Sequence, residues 1–273
     1  MENNMRKKLC LYLALSVVLI SAIMAFGFVW KNQALVCDFT SKNLPPSISH
    51  LFGTDWMGRD MIYRTFTGLS ISIVIGLAAA LISGIFATFA GILAGTCGKK
   101  TDAAVTFLID LVSGIPHILL MLLISVAAGR GLGGVILAVS LTHWTQLARV
   151  MRAEVLQLKD SGYIKLAKKM GKSSGYIIKE HLLSHILPQF IVGIVLTFPH
   201  AILHEASITF LGFGLDSSQP AIGIILSESM KYMIMGKWYL AFFPGLMLVI
   251  TVAVFWKIGD LTRKLLDPHS LHE

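Results

Sequence analysis

Two histidines, His200 and His204, stand four residues apart in the run "FPHAILHEASITF", and Glu205 follows directly. On a helix that spacing sets both imidazoles on one face. A third histidine, His143, lies in "SLTHW" inside another apolar run. Imidazole suits nickel, copper, zinc and iron, and ionisable side chains within a bilayer are costly and mark solute pathways. His143, His200, His204 and Glu205 are therefore candidate pathway residues, with His200 and His204 as candidate transient metal ligands. The plainer alternative is that these histidines only hydrogen-bond neighbouring helices.

Other chemistry is excluded by spacing. "HEAS" lacks the second histidine of H-E-x-x-H and "HLLSH" lacks its glutamate, so neither supports a metalloprotease. "GKSSG" invites a phosphate loop, but G-x-x-x-x-G-K needs glycine where Leu166 stands. No ATP site follows, and any energy source must sit on another chain. Cys10, Cys37 and Cys97 form no CxxC pair and point to neither a disulfide framework nor a zinc site. Cys10, in an apolar helix, is expected to be a small buried hydrophobe. His181 and His185 read as structural. Asp110, with Pro116 and His117 downstream, reads as a helix-end partner beside a kink and not as a proton relay.

These side chains must be positioned by membrane helices. The chain has 273 residues, 55% hydrophobic and 14% charged, with mean hydropathy +0.73; a soluble domain carries about 25% charged residues. Apolar runs of spanning length predict six helices over Leu9–Trp30, Leu69–Thr96, Ala104–Ala128, Val135–Met151, Ile186–Leu211 and Trp238–Ile258. Alternating barrel strands are absent. The first run is too long for a signal-peptide core and is expected to be retained. The fourth is short and runs on into the polar segment after it. The net charge of +8 does not imply nucleic acid, because Lys and Arg cluster between spans. Arg6, Lys7, Lys8, Lys99, Lys100, the basic stretch 149–179, Lys257, Arg263 and Lys264 all fall on one side, which the positive-inside rule makes cytoplasmic. Both termini are then cytoplasmic. Residues 31–64, "GRGLGG" and residues 213–237 face outward.

The basic stretch holds "SGYIKLAKKMGKSSGYIIKEHLLSHILP", Ser161 to Pro188. Tyr163, Ala167 and Met170 recur at i, i+4 and i+7 between lysines, the pattern of an amphipathic helix. Gly171 permits a turn with positive φ, and Ser173 or Ser174 can cap a second helix, on which Ile178, Leu182 and Ile186 share one side. Such an L of two helices fits a partner's groove or rests on anionic lipid.

"A-x-x-x-G" followed by a short helix and "I-L-P" resembles the coupling loop of type I ABC importer permeases. Gly171 and Pro188 match; Lys165 stands in place of the family's glutamate and Leu166 in place of its first alanine. "GTDWMGRD" (Gly53, Thr54, Asp55, Gly58, Arg59, Asp60) followed by Arg64 resembles the segment after the first span in the dipeptide, oligopeptide and nickel group. "ASITFLGFGL", "WYLAFFPG" and "GDLTRKLLDP" resemble the same group in order and spacing. "SLTHW", the H-x-x-x-H before "ASITFLG", and "HLLSHILP" in place of a plain "HILP" look nickel-type. Taken alone, Gly53 and Gly58 would serve turns while Asp55, Arg59 and Asp60 pair locally.

The resemblance implies an all-α, six-helix permease fold divided into an N-terminal helix with its external segment (residues 1–65), a transmembrane domain (66–262) with a coupling loop at about 157–188, and a cytoplasmic tail (263–273). It implies a second, homologous permease, two ATPase subunits carrying ATP and magnesium, an external solute-binding protein and membrane lipid as partners. This chain itself would bind no cofactor and no nucleic acid. It would be a transport subunit of the bacterial cytoplasmic membrane and not an enzyme, carrying nickel or a nickel chelate, with a short peptide as the alternative. Tyr163, Ala167, Met170, Gly171 and Pro188 would couple to the ATPase. An intramembrane enzyme has only His143, His200, His204 and Glu205 to draw on. An ion-coupled carrier calls for inverted repeats or paired broken helices, which the sequence does not display.

Overall fold

The computed structural model describes residues 2–216 and 218–266, and these form helices and loops with a single isolated β-bridge, Thr54 to Asp60. The order is α1 (Glu2–Val29), α2 (Met61–Thr96), α3 (Lys99–Gly114), α4 (His117–Ala127), α5 (Gly131–Lys159), α6 (Gly162–Lys169), α7 (Ser174–Ile177), α8 (Leu183–Phe210), α9 (Ile222–Met233) and α10 (Tyr239–Leu266), with a π-helical turn over Ile178–Leu182. The tail expected over 263–273 lies outside the described residues from 267 onward.

Among the described residues, four stretches are long and apolar enough to cross a membrane: Arg6–Val29, Met61–Thr96, Ser174–Phe210 and Tyr239–Leu266. α5 has the length but not the apolarity, because Arg149, Arg152, Glu154 and Lys159 occupy its second half. It contains the span expected over 135–151 and continues, as the sequence indicated, through the polar segment. The continuous span expected over 104–128 is corrected. α3 and α4 are separate helices bent by 97° at Ile115–Pro116. Proline removes an N–H and drives the residue before it out of the α region; Ile115 accordingly sits at φ −89, ψ 138. The kink read at Pro116 is thus a full break between two helices.

α2 runs centrally and explains why so many of its residues are small. Asp60 caps its start by accepting from Ile62 N at 2.9 Å, and Gly98 beyond its end takes φ +95. Small residues let helix backbones approach closely in membranes. A Cβ on Gly91 would lie 2.6 Å from Met151 Cβ and 2.9 Å from Arg152 N of α5, and one on Gly84 would lie 2.7 Å from Ile194 Cγ1 of α8. Gly91→Leu is therefore expected to force α2 from α5. Overpacking costs about 1–3 kcal/mol or more, so the yield of monodisperse protein by size-exclusion chromatography should collapse. Gly133→Leu, at a position with open space, should retain it.

Leu69, Ile73, Phe198 and Ile202 centre one buried cluster among α1, α2, α8 and α10; Met151, Ile164, Leu182 and Ile186 centre another among α5, α6 and α8. Leu15 and Val18 of α1, and Leu119 and Leu123 of α4, are exposed on the chain's surface, as lipid- or subunit-facing positions are. Cys10 belongs with them: it is exposed, contrary to the buried position expected, because α1 packs on the bundle along only one stripe.

Candidate pathway and coupling surface

The bend at Pro116 opens a cavity of about 880 Å³ among the end of α3 and helices α4, α5 and α8, with His117, His143, Gln146, Gln189, His200 and His204 on its wall. Three of the imidazoles meet. The ring centroids of His117 and His143 are 4.7 Å apart, those of His117 and His204 4.7 Å, and those of His143 and His204 5.1 Å. Each comes from a different helix: the first residue of α4, the middle of α5 and the last third of α8. His143 Nδ1 lies 2.9 Å from Val139 O. A carbonyl only accepts, so Nδ1 carries the proton and Nε2 keeps its lone pair.

The sequence placed the candidate metal ligands at His200 and His204. His204 groups with His117 and His143, while His200 lines the same cavity outside that cluster. Sharing a helix face sets two side chains in one direction but a turn apart; a third helix decides which of them acquires neighbours. His117 was not singled out as a site residue. The available signal was its place directly after Pro116, since irregular backbone at membrane depth is tolerated where it lines a cavity.

Glu205, the other candidate pathway residue on this helix, stands elsewhere. One residue on from His204 is about 100° around the helix, and its side chain is fully buried away from the cavity. It accepts from Thr209 Oγ1 at 3.0 Å, and its Oε2 has no hydrogen-bond partner among the described residues. The bond to Thr209 lies within α8, and the carboxylate stands apart from the wall of this cavity.

The loop between α6 and α7 is built on a helix terminus. At the end of α6, Gly171 N donates to Lys168 O at 3.0 Å and Lys172 N to Ala167 O at 3.1 Å, a Schellman motif, with Gly171 at φ +76. Ser173 Oγ then accepts from Tyr176 N at 3.2 Å and caps α7. The second helix of the expected L is not separate: α7 passes through the π turn straight into α8, so a displacement of α7 is delivered to a helix that reaches His204. The amphipathic stripe also divides differently. Ile164 and Ala167 are buried against the bundle, whereas Tyr163, Leu166 and Met170 are exposed, Met170 at 70%. The sequence period identified an amphipathic helix, but its buried register is Ile164–Ala167 and its outer face is apolar as well. Tyr163 stacks on His185 with centroids 5.6 Å apart. Pro188 sits inside α8, partly buried.

On the opposite end, "GTDWMGRD" is more than a local turn. Asp55 Oδ2 accepts from Arg59 Nε at 2.6 Å and from Arg64 Nη1 at 2.5 Å. Glu228 Oε2 of α9 accepts from Arg64 Nη2 at 3.0 Å and Arg59 Nη2 at 3.3 Å. Local pairing was expected; the reach to Glu228 is non-local and was not. Gly53 (φ +76) and Gly58 (φ +75) turn the backbone so that this carboxylate faces both guanidinium groups. Thr54 Oγ1 accepts from Leu44 N at 2.8 Å, and Asp60 Oδ2 contacts His50 Nδ1 at 2.8 Å, fastening the segment between α1 and α2 over the helix ends.

Comparison with known proteins shows the family to which the chain belongs. Residues 87–271 match the family described as binding-protein-dependent transport system inner membrane component. The chain belongs to this family. The permease is 34% identical over 241 residues to the dipeptide transport system permease protein DppC of Bacillus subtilis, covering 88% of this chain and 75% of that one. It is 32% identical over 266 residues to the oligopeptide transport system permease protein OppC of the same organism, covering 96% and 86%. The inward-facing MetNI methionine ABC transporter shares its fold, with TM-score 0.61 at 19% identity, covering 75% of this permease and 97% of that chain. The protein is a permease subunit of an ABC importer of the dipeptide and oligopeptide group, a multi-pass component of the inner membrane. Such a subunit works with ATPases and a substrate-binding protein. The nickel-type assignment expected from the histidine motifs does not find support in the names of these relatives, which are peptide permeases.

Proposed function

We propose that this permease forms half of the translocation pathway for a short peptide, paired with a homologous permease, two ATPase subunits that hold ATP and magnesium, and an external solute-binding protein. The observation that carries the cargo is the run of dipeptide and oligopeptide permeases to which nearly the whole chain is similar. The cavity supports it: about 880 Å³ falls in the range of small-molecule sites, and Gln146, Gln189 and Arg149 on its wall offer partners to amides and carboxylates. In this reading the chain crosses the membrane six times with both termini cytoplasmic, the bent α3–α4 pair and the less apolar α5 supplying the two crossings beyond the four long apolar stretches. Tyr163, Leu166 and Met170 then dock on the ATPase, and Gly171 and the π turn carry its movement into α8.

A second cargo, nickel or a nickel chelate, is favoured by one observation, the four imidazoles on the cavity wall. Uptake by the four-subunit complex in proteoliposomes, with binding protein outside and ATP inside, separates the two. A labelled dipeptide should accumulate at least tenfold over the ATP-free control, with ⁶³Ni²⁺ at background. Nickel accumulation without dipeptide uptake would exchange the cargo, and uptake independent of ATP would remove the importer reading altogether.

A further inference from the structure

We infer that His117, His143 and His204 form a three-imidazole site for one first-row divalent cation on the cavity wall. The site lies within the pathway proposed above, but the inference rests on three side chains and holds for either cargo. One nitrogen from each ring lies within 4.8 Å of the other two. Ligands on a tetrahedral zinc at 2.0–2.1 Å are about 3.4 Å apart, so each nitrogen closes by under about 1 Å. Rotation of three partly or wholly cavity-facing rings supplies such a shift.

Three further observations point the same way. The bond from His143 Nδ1 to Val139 O both orients that ring and fixes the tautomer whose Nε2 can ligate, the arrangement that accompanies metal-bound histidine. His117 and His204 have no hydrogen-bond partner among the described residues, so their ring nitrogens are not already committed. The three rings also come from three helices and open onto one cavity, which leaves a fourth coordination position facing its interior. That is the ligand count of an open zinc site and not of a closed structural one.

The nearest carboxylate in sequence, Glu205, is turned away and buried. Three neutral imidazoles then leave the ion's charge uncompensated, and the open position favours an anionic or carbonyl ligand from the cavity. Imidazole selects zinc, copper, nickel or cobalt over magnesium and calcium. The ion bridges α4 to α5 and α8 across the break at Pro116, so its occupancy holds the bent segment to the wall of the path.

The test uses the assembled complex, purified through a tag without histidine and titrated with Co²⁺ alone. One Co²⁺ per copy of this chain is expected, with the intense visible absorption of a four-coordinate ion, displaced by Zn²⁺ and not by Mg²⁺. His117→Gln, His143→Gln and His204→Gln should each weaken binding at least tenfold, whereas His200→Gln should leave it within twofold. Should a variant fail to assemble, Cu²⁺ electron paramagnetic resonance on the unmodified complex decides instead, with coupling to three nitrogens expected. Absence of stoichiometric Co²⁺ binding, or equal loss in His200→Gln, overturns the site. Peptide uptake with no metal bound would sink this inference and leave the permease reading standing; metal bound without ATP-dependent uptake of either cargo would do the reverse.

Discussion

Gly171→Val should insert and assemble normally yet lose transport-coupled ATP hydrolysis almost completely. The residue sits at φ +76 with nothing within 4 Å of where a Cβ would stand, so the penalty is one of backbone and not of crowding. A left-handed conformation costs an L-residue about 1–2 kcal/mol, and a branched side chain bears the most. That is too little to unfold the bundle. It is enough to make the chain abandon the Schellman turn, which together with the packing of Ile164 and Ala167 beside Ile177 sets the angle between α6 and α7. Tyr163, Leu166 and Met170 then present to the wrong surface. Binding-protein-stimulated ATPase activity of the reconstituted complex is the readout, with a fall of at least tenfold expected. Gly171→Asn should retain much more, since asparagine tolerates the left-handed region. Equal activities for the two variants would detach coupling from this turn.

Arg64→Met is expected to be the most destabilising single change outside the apolar core. The guanidinium is 3% exposed and lies between Asp55, 5% exposed, and Glu228, 24% exposed. Removing one partner from a buried ionic set costs about 3–5 kcal/mol, because a charge is left uncompensated. Arg59 still faces Asp55, which puts the expectation at the lower end of that range. Thermal unfolding of the complex, followed by intrinsic fluorescence, should show a clear fall in Tm and earlier release of the outer segment. Asp55→Asn in the same chain should recover part of the loss, since the uncompensated charge goes with it; a double-mutant cycle isolates that coupling. A purely local turn would show neither effect.

Much of this architecture was legible because the bilayer imposes so few solutions. Apolar runs of spanning length must be helices, and the Lys and Arg clusters order them. What the sequence did not disclose depends on relations between helices. Pro116 marks a break, but the direction of a 97° bend is set by what α4 packs against. His200 and His204 share a face by period, yet only His204 meets α4 and α5. Glu205 differs from His204 by a single residue and points to the opposite environment. Glu228 lies 164 residues from Arg64, so no local pattern could pair them. On α6 the period was legible as one stripe of Tyr163, Ala167 and Met170, but the structure exposes Tyr163 and Met170 and buries Ala167 with Ile164, a division that only the neighbouring helices decide. Gly171 was the easiest position to read, since its turn is encoded within six residues.

In the complex proposed above, an ATPase subunit engages this permease at the exposed face of α6. The most direct test of that contact replaces Met170, 70% exposed at the end of α6, with a photo-crosslinking amino acid in the intact importer. Irradiation should join the permease to its ATPase in a single product, with the crosslink broken up by Gly171→Val and unaffected when the same probe replaces Leu123, on the exposed side of α4. An assembled complex in which the probe at position 170 captures only lipid, or can be reached from outside the cell by a membrane-impermeant reagent, would contradict the account.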